Sequence, residues 1–166
     1  MATPRDVVVE QLRMGGRLLD MLTADLSNAE WFTPAAPDTN HAAWVLGHLA
    51  VSEDSMVSKI SGKPMRQSQA LHELFNGKSK CVADAARYPS VKEIQEMFRD
   101  QRAHTLEAAT TFDNARWDGP SPEGIPRDFF PTLGSFWGLI GAHQFWHIGQ
   151  VTTCRKVMGK KAVLGG

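Results

Sequence analysis

Cysteine is scarce in this chain, and an excess of either charge is missing. Only Cys81 and Cys154 occur among 166 residues, with no C-x-x-C pair. That excludes a disulfide framework or a cysteine-built zinc module and leaves room for one pairing at most, so reduced thiols in a cytoplasmic protein are the expectation. Lys plus Arg and Asp plus Glu total 18 each, so no net field is available to hold nucleic acid or an anionic membrane surface. The basic group Arg155, Lys156, Lys160 and Lys161 falls at the end of the last expected helix, where it complements the helix dipole. No apolar run approaches the ~20 residues of a membrane span, and the opening MATPRDVVVE is broken by charge before a signal-peptide core develops. Alternating β-branched segments bounded by turns are absent too, as is any repeat at a fixed period.

What the chain does contain is helical periodicity. Val8, Leu12, Leu19, Leu22 and Leu26 mark a first helix over residues 5–26, weakened by Gly15 and Gly16. A second begins with Thr39 or Asn40 as N-cap and runs to Ile60, where Ser61-Gly62-Lys63-Pro64 stops it. Ser90-Val91-Lys92-Glu93 is a capping box that opens a third helix, carrying Ile94, Met97, Phe98 and Leu106 to about Thr111. The fourth starts at Pro131-Thr132 and ends at Met158 before Gly159. The segment between the second and third is too long for a bare connection, and residues 67–75 have the makings of a short helix inside it. The expectation is one all-α domain spanning residues 1–166, a four-helix bundle with long crossover connections.

The last helix contains His143-Gln144-Phe145-Trp146-His147. Phe136, Ile140, His143, His147, Gln150 and Cys154 share one face of it, and His41, Trp44, His48 and Ser55 share a face of the second helix. A lone inward histidine is better read as hydrogen-bonded packing than as a ligand. Three are harder to house, because each unpartnered buried polar group costs about 1–3 kcal/mol. A shared metal ion would satisfy them together.

The pattern Trp44-x-x-Gly47-His48-Leu49 on the second helix, followed by His143-x-x-x-His147-x-Gly149-Gln150 on the fourth, resembles the DinB-like superfamily of metalloenzymes, and helix order extends the likeness over nearly the whole chain. The resemblance implies a divalent metal held by His48, His143 and His147. His41 falls on no family ligand position and is expected in the first turn near the pocket mouth. His104 and His72 have weaker claims. Trp44 is the pocket-wall candidate and Gln150 a group that orients a ligand. Zinc or nickel suits three imidazoles, with manganese or iron as alternatives. Since imidazole ligates when neutral, affinity is expected to fall as pH drops through about 6.5.

The histidine spacing is that of H-E-x-x-H zinc peptidases, but Gln144 replaces their general base and cannot accept a proton at neutral pH. Glu53 and Asp54 lie off the His48 stripe and are expected to be solvated or capping charges. The family implies chemistry on low-molecular-weight thiols, since a coordinated thiol loses its proton without a protein base. Three readings follow: a thiol transferase acting on a small-molecule electrophile, a metal-dependent hydrolase, or a non-enzymatic bundle that binds metal or dimerises. The family also implies a homodimer, for which the residues offer the apolar surplus Val7, Val9, Met14 and Met21 on the first helix.

Overall fold

The computed structural model describes residues 2–163, and it is helical with no strand among them beyond an isolated bridge between Pro120 and Thr132. Five helices follow in order: α1 (Pro4–Thr23), α2 (Ala42–Ser61), α3 (Gln69–Phe75), α4 (Val91–Thr111) and α5 (Leu133–Val157). Their starts are written in the local sequence. Thr3 with Asp6, Ser90 with Glu93 and Thr132 with Ser135 form capping boxes, each meeting backbone N–H groups that no helical carbonyl can reach. Gly62 ends α2 in the left-handed region at φ 70°.

Two starts differ from the sequence expectation. The N-cap of α2 is His41, whose Nδ1 accepts the Trp44 N–H at 3.0 Å. The short crossover helix begins at Gln69 behind Ser68, two residues later than its composition suggests.

Helix α1 packs on α4 and α5, and α2 packs on the same two, so α1 and α2 lie diagonally. One apolar cluster joins Leu19 and Leu22 of α1, the first half of α2, Ile94 and Phe98 of α4 and Val151 of α5. The other joins Val8, Val9 and Leu12 to Val57, Ala109, Phe112, Phe136 and Trp137. Hence α1 and α5 start at one end and α2 and α4 at the other. The parallel pair α2 and α4 then requires the long crossover, and α3 uses it to cover α2. Every residue of α2 from Ala42 to Val51 is buried in consequence. Gly47 marks the contact, because a Cβ there would stand 2.4 Å from the Phe75 ring. Trp117 and Ile125 pack into the second cluster, so the loop between α4 and α5 closes that end of the bundle. Val9 belongs to the same cluster and is removed from the exposed surplus on α1, whereas Val7, Met14 and Met21 remain about half exposed.

Candidate metal centre

Helical spacing on α5 brings His143 and His147 together, and α2 lays His48 against both. One side-chain nitrogen from each lies within 4.8 Å of the others. The two α5 imidazoles meet Nε2 to Nε2 at 3.1 Å. Nitrogen ligands around a tetrahedral zinc ion at 2.0–2.1 Å stand about 3.3 Å apart, so this spacing suits a shared ion.

Outer hydrogen bonds decide which nitrogen His48 and His147 present. His48 Nδ1 lies 2.8 Å from the Phe75 carbonyl, which can only accept, so Nδ1 carries the proton and Nε2 the lone pair. His147 Nδ1 donates to Gln150 Oε1 at 2.9 Å, which again leaves Nε2 as the lone pair. Ser52 Oγ stands 3.4 Å from His48 Nε2. Trp44 stacks on the His48 ring at 4.7 Å and 8° and anchors its own Nε1–H on Ser79 Oγ. Trp44 is therefore buried against the His48 ring.

His48 and His147 are buried and His143 is half-buried. Burial, then the neighbouring His147 and His48, pushes the His143 pKa down to about 3. Burial similarly takes His147 to about 4 and lowers His48. All three imidazoles are therefore neutral at pH 7, the form that ligates. The acid loss of affinity expected near 6.5 moves to lower pH. The donor set, three neutral imidazoles, fits a metal ion.

The carboxylates and Gln144 are occupied elsewhere. Glu53, far from solvated, is buried and ion-paired with Arg102, which contacts it through Nε at 3.1 Å to both oxygens and through Nη2 at 2.5 Å. Arg102 Nη1 donates to the Leu12 carbonyl at 2.6 Å and to Gln144 Oε1 at 2.8 Å, and Gln144 Nε2 donates to the carbonyls of Gln11 and Gly141. This tie joins α1, α2, α4 and α5. Gly15 makes room for it, since a Cβ there would lie 1.9 Å from Gln144 Oε1. Asp54 is buried too, accepting the Arg66 and Gln67 N–H groups and contacting His72 Nε2 at 3.0 Å. It fastens the start of the crossover to α2.

The remaining histidines stay apart from the cluster. His41 is fully buried, with Nε2 donating to the Val82 carbonyl at 3.1 Å, so it caps a helix instead of edging a pocket mouth. His104 lines a separate concavity of about 480 Å³ with Lys63, Glu107 and Arg116. Trp31, Trp44, Trp117 and Trp137 are buried, whereas Trp146 is 66% exposed beside His143, with ring centroids 6.0 Å apart.

A model of the DinB superfamily matches residues 11–151. The chain belongs to the DinB superfamily. Its fold has the DinB-like helical-bundle form, and the crystal structure of the conserved protein of a locus from Enterococcus faecalis superposes with a TM-score of 0.74. That likeness covers 96% of this chain and 100% of the other at 17% identity, which shows a common fold alone. No curated protein matches. No helix among the described residues of this DinB member is long and apolar enough to cross a membrane. Sequence reasoning missed the Phe75 carbonyl and Asn40, whose carboxamide donates to Gln150 Oε1 at 3.3 Å. A backbone carbonyl carries no residue-type signal, and Asn40 read only as a cap.

Proposed function

We propose that this chain is a metal-dependent enzyme that holds one divalent ion on His48, His143 and His147 and joins a low-molecular-weight thiol to an electrophile. One observation carries the reading: three neutral imidazoles converge while Glu53 and Gln144 are spent on the Arg102 tie. No group in the cluster is a carboxylate base. When bound, an ion with three imidazole ligands keeps an open position and supplies the Lewis acidity that deprotonates a thiol without a protein base.

The chain's own residues do the rest. The Phe75 carbonyl and Gln150 Oε1 hold the Nδ1 protons of His48 and His147, so that both present Nε2. Trp44 shields one face of His48 from water. Burial keeps the ligands neutral, so at pH 7 none has to lose a proton first. In the transfer the sulfur forms its bond to the electrophilic carbon, the leaving group departs with the bonding electrons, and the thiol proton passes to water.

Elemental analysis of protein purified without an affinity tag should find one ion per chain, zinc or nickel before manganese or iron, and none in His147→Ala. Cobalt-loaded protein should gain a sulfur charge-transfer band when small thiols are titrated in. The band should persist in Cys154→Ser, which removes the buried thiol that donates to the Asn40 carbonyl. Thiol consumption with a small electrophile would complete the case. Absence of any thiol perturbation at millimolar concentration would transfer the site to hydrolysis or to non-enzymatic metal binding. We further propose a homodimer through the outer face of α1, where Val7, Met14 and Met21 are exposed. A monomer mass independent of concentration in light scattering would count against it.

A further inference from the structure

His147 can serve as a ligand through Nε2 only if its proton sits on Nδ1, and nothing in the imidazole itself makes that choice. Gln150 makes it by presenting oxygen, its Oε1 standing 2.9 Å from His147 Nδ1. Yet a carboxamide exchanges oxygen for NH₂ with almost no change of shape. Turned about, Gln150 would donate to Nδ1 and drive the proton onto Nε2, the atom that stands 3.1 Å from His143 Nε2. A second group must therefore hold Gln150 in register. Asn40 is placed to do so, because its Nδ2 donates to the same Oε1 at 3.3 Å, bridging from the start of α2 to α5. Its backbone is itself fixed, since its carbonyl accepts the Cys154 thiol at 3.4 Å and the next residue is the buried cap His41.

We infer that Asn40 is a positioning residue for the histidine cluster, acting through Gln150 to fix the tautomer in which His147 offers Nε2. The inference rests on the metal-centre reading for its consequence and on the hydrogen-bond polarity alone for its mechanism. An acceptor at position 40 reverses that polarity. In Asn40→Asp the carboxylate accepts from the NH₂ of Gln150, the same NH₂ end faces His147, and His147 shifts to the Nε2–H form. In Asn40→Ala nothing holds Gln150, and His147 becomes a mixture of tautomers. Gln150→Glu can only accept, so it retains the Nδ1–H form.

Two measurements at pH 7 test this: zinc affinity by competition with a chromophoric chelator, and imidazole ¹⁵N shifts of His147 in metal-free protein. Asn40→Asp should weaken zinc binding about 10–100-fold, the usual range for an outer partner of a metal ligand. Asn40→Ala should weaken it less, and Gln150→Glu, which can only accept, should keep His147 in the Nδ1–H form by its ¹⁵N shifts. A packing role predicts the opposite order, because aspartate is nearly isosteric with asparagine and alanine is not. Greater loss in Asn40→Ala than in Asn40→Asp would overturn the inference, as would an Nδ1–H His147 in Asn40→Asp. If the aspartate variant does not fold, a pure Nδ1–H signal in Asn40→Ala overturns it equally. Failure of the wild-type protein to take up zinc would sink the metal-centre reading, while the ¹⁵N arm would still decide the role of Asn40.

Discussion

Two polar layers lie next to each other on the same pair of helices, and they differ in where their hydrogen bonds end. In one, Glu53, Arg102 and Gln144 close on one another and on main-chain carbonyls of α1 and α5, all inside the protein. In the other, His48 and His147 are fixed from outside by Phe75 and Gln150, and their Nε2 atoms face inward. Gln144 lies between His143 and His147 in the chain yet belongs to the first layer. Buried polar groups whose bonding capacity is spent internally make structure. Groups whose outer atoms are pinned leave their inner lone pairs uncommitted, as a metal ion would require.

The first layer can be broken most severely by Arg102→Ala. It strands Glu53 in the core, and loss of one partner of a buried pair costs about 3–5 kcal/mol, to be read from urea unfolding. Replacing both partners by methionine should recover part of that loss, because apolar replacements carry no desolvation cost, while the Leu12 carbonyl and Gln144 Oε1 still lack the Arg102 donor. A loss below about 1 kcal/mol in the single variant would mean that water reaches the tie. Gly15→Ala should come next. Helix propensity favours alanine by about 1 kcal/mol, but the new Cβ displaces Gln144 and leaves Arg102 Nη1 and the Gln11 carbonyl short of partners. At about 1–3 kcal/mol for each of the two unsatisfied groups, less that gain, the net effect is a loss of about 1–5 kcal/mol. A stabilised Gly15→Ala protein would show that Gln144 finds other partners.

The contrast also marks what was legible in the sequence. Helix periods, the Ser90 capping box and the inward turn of His48, His143 and His147 were all readable, because side chains three and four apart share a face. Glu53 and Asp54 were not, since the stripe argument assumes that a helix has a solvent side. Residues 42–51 of α2 have none, Glu53 faces Arg102 of α4 and Asp54 faces the crossover, and this covering depends on long-range packing that no local pattern encodes. Gly15 read as a weak point in α1, and its use appears only when Gln144 arrives from far along the chain.

The second layer can be probed by acid. In the unfolded chain the three imidazoles return to about 6.5, whereas in the fold His143 titrates at about 3 and His147 at about 4, with His48 also lowered, burial being the main cause in each. Depressed folded values mean that this contribution is complete above 6.5. It is lost as pH falls towards 4 and 3, because the unfolded chain takes up protons that the native state refuses. Each histidine adds a slope of ~1.4 kcal/mol per pH unit inside that window. The urea midpoint of metal-free protein should therefore decline between pH 6.5 and 5, and His143→Gln with His147→Gln should flatten the decline. An unchanged slope in the double variant would place the acid sensitivity outside the cluster.

The smallest effect on the histidine cluster is expected at His41, the buried N-cap of the helix that carries His48, whose ring nitrogens serve structure. Its Nδ1 accepts the Trp44 N–H and its Nε2 donates to the Val82 carbonyl, so both ring nitrogens are already engaged. Serine at this position keeps the cap acceptor while giving up the reach to Val82. His41→Ser should therefore cost about 2–5 kcal/mol, the range for truncating a buried side chain, since the imidazole packs edge-on against Phe32 and Tyr88, and His41→Ala about 0.5–2 kcal/mol more, because it also loses the N-cap acceptor. Neither should change metal stoichiometry, measured by elemental analysis at matched folded concentration. A variant that folds but binds less than one ion per chain would add His41 to the centre and remove the distinction between the converging imidazoles and this spent one. Equal stability of the serine and alanine variants would show instead that the cap contributes little beside the burial of α2.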